Sequence, residues 1–220
     1  MDPMLALFIA VATGDVQSVK ALVAEHPELA RAKNADGLSV LRFARYVGHE
    51  DILESLIDAG PPLDFFEAAQ LGRTQVLASM LDADPALVGA NSADGFTALH
   101  FAAYYGNSDT VGLLLERGAD TEAVTTNFLT NMPIHAAAAG RHFENCRLLL
   151  EHGAHVNAQQ HGGFTALHAA AQHGDRALAE LFLSHGADAS MATDESKTAP
   201  QIAAEQGNVE LAALLRARTG

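Results

Sequence analysis

The stretch GFTALHFAAYYG at residues 95–106 returns as GFTALHAAAQHG at 163–174, and a third version, MPIHAAA, stands at 132–138. Thirteen residues after each of His100, His135 and His168 an apolar triplet begins, at 113–115, 148–150 and 181–183. Eighteen residues after each histidine comes a Gly-Ala pair, at Gly118, Gly153 and Gly186. Three anchors in one phase mark an internal repeat, and a period in this range is the signature of stacked modules.

Fainter copies extend the series in both directions. Gln201 takes the histidine position near the C-terminus, with Gly207, Leu214 and Leu215 in phase. Arg42 takes it near the N-terminus, with Gly48, Leu56, Ile57 and Gly60 in phase; Phe66 and Phe8 do the same, with Gly72 and Gly14 six residues on. The reference positions 8, 42, 66, 100, 135, 168 and 201 are 34, 24, 34, 35, 33 and 33 residues apart. Physical roles fit a helical hairpin. Thr or Ser before the apolar run is a helix N-cap. A glycine six residues after the histidine position suits the turn between two helices. Gly118, Gly153 and Gly186 suit the left-handed close of the second helix.

This pattern resembles the ankyrin repeat, whose period is about 33 with a T-P-L-H-x-A signature. The likeness covers essentially the whole chain, is strongest over 94–188, and is degenerate before 60 and after 195. It implies an all-α solenoid of about seven helix pairs with short β-hairpin finger loops. One domain, 1–220, is expected, with units near 4–36, 37–61, 62–93, 94–128, 129–161, 162–194 and 195–220. In such a family His100, His135 and His168 hydrogen-bond backbone near the finger base.

Departures from the repeat carry their own expectations. The 24-residue step leaves only Pro61, Pro62, Leu63 and Asp64 between Gly60 and Phe65, so one finger is missing near 60–64, replaced by a tight corner. The finger from Val124 to Met132 carries two extra residues. Arg141 stands where other copies have the turn glycine, with Gly140 one place early, and a distorted turn is expected. Arg42 and Arg45 replace a histidine and a small alanine. Two readings stay open for them: a local ion pair with a carboxylate such as Glu67, or an anion contact through the guanidinium fork.

Composition bounds the chemistry. A net charge of −14, from 13 basic and 27 acidic residues, argues against a non-specific grip on nucleic acid or anionic membrane. The apolar run Met4 to Ala12 is too short to span a bilayer, and its leading Met-Asp-Pro lacks the basic residue of a signal peptide. The one cysteine, Cys146, excludes a disulfide framework and reads as a small core residue of a second helix. Seven of the 11 histidines fall between 142 and 185, but none shows metal-ligand spacing, and there is no nucleophile elbow or phosphate-binding loop. No catalytic residue, metal or cofactor is expected.

The resemblance implies a protein partner held on the concave face, by finger tips and the exposed positions of each first helix. Carried onto this sequence, that set includes Tyr46, Val47, Leu71, Phe96, Tyr104, Tyr105, Phe164, Gln172 and His173, together with Gln70. All three tyrosines of the chain fall in it, and aromatic side chains with a polar tip dominate interface hot spots. The expected function is a non-enzymatic protein–protein interaction module, monomeric and cytoplasmic. Two rivals are an acidic neutralising protein, of inhibitor or immunity type, for a basic toxin or enzyme, and a metal-dependent binder or enzyme using the His-rich region 142–185.

Overall fold

A computed structural model describes residues 2–35, 37–60 and 62–218. Among them the chain forms fourteen α-helices in seven consecutive pairs: α1 (Pro3–Thr13) with α2 (Val16–Glu25), α3 (Val40–Val47) with α4 (Glu50–Ala59), α5 (Phe65–Gln70) with α6 (Thr74–Ala83), α7 (Ala98–Tyr105) with α8 (Ser108–Glu116), α9 (Pro133–Ala139) with α10 (Phe143–Glu151), α11 (Ala166–His173) with α12 (Arg176–Ser184), and α13 (Ala199–Glu205) with α14 (Val209–Arg216). Two compact units divide at Glu67/Ala68, within α5. The apolar run from Met4 to Ala12 lies in α1, with Leu7 and Val11 buried.

Every hairpin turns on one left-handed residue. Gly14, Gly48, Gly72, Gly106, Gly174 and Gly207 hold φ between 65° and 83°, and Arg141 joins them at 60°. The turn expected to be distorted is therefore regular: the arginine accepts the strained backbone that glycine takes elsewhere. Gly140 itself is right-handed, at φ −74°. The residue after each turn is the N-cap of the second helix, and several of these side chains lie against the preceding hairpin. The His49 ring sits over Gly14, His142 over Gly106, Asn107 over Gly72 and Asn208 over Gly174.

Ser39, Thr97, Thr165 and Thr198 cap the first helices α3, α7, α11 and α13 as their sequence positions foretell. Three fingers are reduced to turns closed by single antiparallel bridges, Lys33 with Ser39, Asn91 with Thr97 and Ala192 with Thr198. Between α4 and α5 the described residues, Gly60 and 62–64, form no bridge. Pro61 lies outside the described residues.

In the unit 2–67, α1 packs on α2 and α3, and α4 on α2 and α3. Leu7, Val11, Val19, Leu41, Ile52 and Leu56 fill the space between them. In the unit 68–218 the first helices α7, α9, α11 and α13 pack side by side, and the second helices α6, α8, α10 and α12 form a parallel row behind. Leu77, Leu99, Leu114, Ile134, Leu149 and Phe182 are wholly buried between the rows. Burying each such side chain contributes about 1.5–3 kcal/mol. A single hairpin covers only part of its own apolar surface, so the neighbours hold one another.

Candidate recognition face

Within residues 68–218 the consensus histidines fasten each finger to its helix. The Thr97 and Thr165 backbone N–H groups donate to Nδ1 of His100 and His168, at 3.3 and 3.1 Å, and the Met132 N–H to Nδ1 of His135 at 3.0 Å. With Nδ1 accepting, Nε2 carries the proton and donates onward. Its acceptors are the Asn131, Ala158 and Met191 carbonyls of the next finger, at 3.1, 2.9 and 3.1 Å. Burial lowers all three pKa values, and holds His100 down to about 4, because a charged ring there has no water to solvate it. The neutral ring is the one both hydrogen bonds require.

Before the last four turns, the residue two places earlier is displayed to solvent in register: Tyr104, Ala139, Gln172 and Glu205. Tyr104 is 45% exposed and meets Tyr105 edge to face, with ring centroids 5.1 Å apart. Tyr105 is half-buried, and Gln172 and His173 are exposed. Phe96 and Phe164 are half-buried, their rings 5.9 and 5.7 Å from those of His100 and His168, so part of each covers a consensus histidine. Leu71 is half-buried. Gln70, grouped with the displayed positions by its register, is only 1% exposed. In the other unit Tyr46 stands 78% exposed and Val47 is half-buried.

The largest exposed ring of the longer unit escaped the sequence pattern. Phe128 is 77% exposed at the tip of the lengthened finger. Its neighbours clamp the finger on both sides. Thr126 N–H donates to the Gly95 carbonyl and Asn127 Nδ2 to the Asp94 carbonyl, both at 3.0 Å. On the far side His161 N–H donates to the Leu129 carbonyl at 3.1 Å, and its ring stands edge-on to Phe128. The two-residue insertion was the only sequence signal, because consensus positions say nothing about inserted ones.

Arg45 donates to Glu50 at 2.8 Å, and Arg42 is likewise engaged. Glu67 is approached instead by Arg31, Nε to Oε2 at 3.6 Å. Cys146 is wholly buried and its thiol is pushed up to about 12, chiefly by desolvation, so it stays a protonated core group. In the His-rich stretch, His152 and His185 turn Nδ1 to the Leu148 and Leu181 carbonyls at the ends of α10 and α12, at 2.8 and 2.9 Å. Among the described residues no three His, Cys, Asp or Glu side chains are grouped to hold a metal ion, and no helix is long and apolar enough to cross a membrane.

Comparison with known proteins agrees with this architecture. A family model described as ankyrin repeats, in three copies, matches residues 65–160, 119–193 and 158–219. The mouse B-cell lymphoma 3 protein homolog is 46% identical over 81 residues, 37% of this chain and 18% of that protein. A probable E3 ubiquitin-protein ligase of rice, XBOS32, is 30% identical over 180 residues, 76% of this chain and 35% of its own. Human transient receptor potential cation channel subfamily A member 1 is 40% identical over 86 residues, 39% of this chain and 8% of the channel. The chain thus spans about a third or less of the length of these relatives. Repeating hairpins, histidine-pinned fingers and matches across residues 65–219 lead to one conclusion: the chain belongs to the ankyrin repeat family, whose repeats serve as protein–protein interaction modules.

Proposed function

We propose that this protein recognises a protein partner without catalysing a reaction, and that the partner docks on the first helices and fingers of residues 68–218, centred on Tyr104. One observation carries the reading. Tyr104 is 45% exposed although it belongs to a helix whose other residues from Ala98 to Ala103 are buried. An aromatic ring with a polar tip, kept at the surface of an otherwise buried helix, has the make-up of an interface anchor.

The test compares Tyr104→Ala with the native chain in thermal unfolding and in partner capture. The expected result is a melting temperature within about 1–2 °C of native and at least tenfold weaker capture. A melting temperature lowered by 5 °C or more would make the ring a packing residue and remove the basis for the face. Tyr105→Ala is the control: as a half-buried residue it loses stability as well as affinity, so it separates packing from recognition.

A further inference from the structure

Charge in the longer unit is sorted by face. The arginines sit on or beside the second helices, where they meet carboxylates of the same row: Arg117 with Asp82 at 2.7 Å, Arg147 with Glu144 and Glu151, and Arg176 with Glu180 at 2.8 Å. The fingers and first helices, residues 89–105, 118–139, 153–173 and 186–205, contain no arginine and one lysine, Lys197. That lysine is held by Glu205 at 2.7 Å. The same segments carry Asp94, Asp120, Glu122, Asp188, Asp194, Glu195 and Glu205. Asp94 accepts from the Ser92 hydroxyl, Asp120 from the Glu122 N–H, Glu122 from the His155 N–H and Asp188 from Ser190. Such bonds orient a carboxylate and leave its charge in place.

Asp94 and Asp194 share the row of finger tips that carries the exposed Phe128 ring. The finger tips form a chain of backbone contacts: Gly95 to Thr126, Leu129 to His161, and Gly162 to Asp194 at 2.9 Å. Asp94 lies at one end of this row and Asp194 and Glu195 at the other, with Phe128 and His161 between them. An apolar centre with an anionic rim excludes acidic partners by repulsion and draws cationic ones by attraction.

We infer that the partner segment is basic: an extended stretch of protein carrying Lys or Arg toward both ends and an apolar side chain between, seated over Phe128. The inference rests on the recognition face proposed above. Three helix-to-helix steps of about 8–10 Å separate the tips at Asp94 and Asp194, a span that about eight or nine residues of extended chain cover. The negative face also steers the encounter, so the association rate depends on salt.

The experiment selects from a displayed library of random dodecapeptides on the immobilised full chain, then measures the enriched peptides in solution. Support requires enriched peptides rich in Lys and Arg. Their binding must fall at least tenfold between 50 and 500 mM NaCl. It must also fall at least fivefold in the Asp94→Asn, Asp194→Asn, Glu195→Gln triple variant and at least tenfold in Phe128→Ala with Tyr104→Ala. Peptides that need Phe128 and Tyr104 but show no basic bias overturn the inference and leave the recognition face standing. Peptides indifferent to both aromatic substitutions, or no enrichment at all, overturn both. A self-association in sedimentation that Phe128→Ala abolishes would assign the face to a second copy of this chain and also overturn it. Melting temperatures of all variants are measured alongside, and the finger tips are exposed enough that they stay within about 2 °C of native.

Discussion

No side chain can stand at Gly140, because a Cβ built there would run into the backbone carbonyl of Tyr104 in the preceding repeat. That close approach explains why the glycine of this hairpin lies one place early. Arg141 then occupies the position that is left-handed in every hairpin, at φ 60°. Gly140→Ala forces the two backbones apart and is expected to destabilise the unit by about 2 kcal/mol or more. Arg141→Gly removes a left-handed side chain, at the loss of an exposed ion pair with Asp175 at 3.4 Å. Such pairs contribute little, so the expected net gain is about 0.5–1 kcal/mol. Urea midpoints of the two variants should move in opposite directions; a loss of stability in Arg141→Gly contradicts the account.

Arg31 fills the place of the missing finger. Its Nη1 donates to the Leu56 carbonyl in the last turn of α4 at 2.8 Å, and its guanidinium lies where any side chain on Gly60 would have to go. Glu67 beside it is 3% exposed. Burial lowers the pKa of Arg31 and raises that of Glu67, so for each group desolvation outweighs the attraction of its partner. The pair is therefore a means of satisfying this corner rather than a source of stability. Glu67→Ala, which strands the arginine, is expected to cost about 3 kcal/mol, while Arg31→Met with Glu67→Leu recovers most of that loss. Equal losses in the single and double variants, read from denaturant unfolding, would show that the charge itself is needed.

Acid should act on the two units in opposite senses. His100, His135 and His168 have lowered pKa values when folded and titrate near 6.5 when unfolded, so below 6.5 the unfolded chain binds protons that the folded chain refuses. Their stabilisation is complete above pH 6.5 and drains away as the pH falls toward about 4, where His100 protonates. Glu67 has a raised pKa, so the folded shorter unit takes up its proton first, and the penalty of burying its charge is relieved as the pH falls toward its ordinary 4.5. Hydrogen exchange at pH 7 and pH 5, corrected for intrinsic rates, separates the units. Protection should drop in residues 68–218. His100→Gln, the residue found at position 201 in the same role, accepting from the Thr198 N–H at 2.8 Å, should flatten that loss.

Gln70 buries both polar atoms of its amide without a partner. An unsatisfied buried amide costs about 1–3 kcal/mol. Gln70→Met keeps the length and removes the polarity, and is expected to leave stability unchanged or raise it by about 1 kcal/mol, as measured by urea midpoint. A loss above 1 kcal/mol would reveal a polar role for this side chain.

How far the sequence reaches is clearest at the histidines and the turns. His100, His135 and His168 stand at fixed distances from their capping residues and from the next finger, so spacing identified the positions, and the resemblance to the ankyrin repeat supplied their structural role. The family model begins at residue 65, yet α1 to α4 form the same hairpins around left-handed Gly14 and Gly48. A hairpin needs only a turn, caps and apolar spacing, and these survive where consensus residues do not. The exposure of Tyr104 matches the position that the resemblance assigns to the displayed face.

Other features depend on contacts that no local pattern encodes. Gln70 shares the register of Tyr104 and is buried, since exposure at a given position is decided by the neighbouring surface. Arg31 rather than Arg42 or Arg45 lies against Glu67 because removing a finger leaves room for a side chain from the preceding one. The sequence by itself determined the module, its period and its turn residues, all of which are set by interactions within about 35 residues. Only the tertiary structure decided that Phe128 stands exposed, that Gly140 must be bare, and that arginines of the longer unit meet carboxylates along the row of second helices. Those outcomes arise where successive repeats meet, and periodicity cannot specify what differs from one repeat to the next.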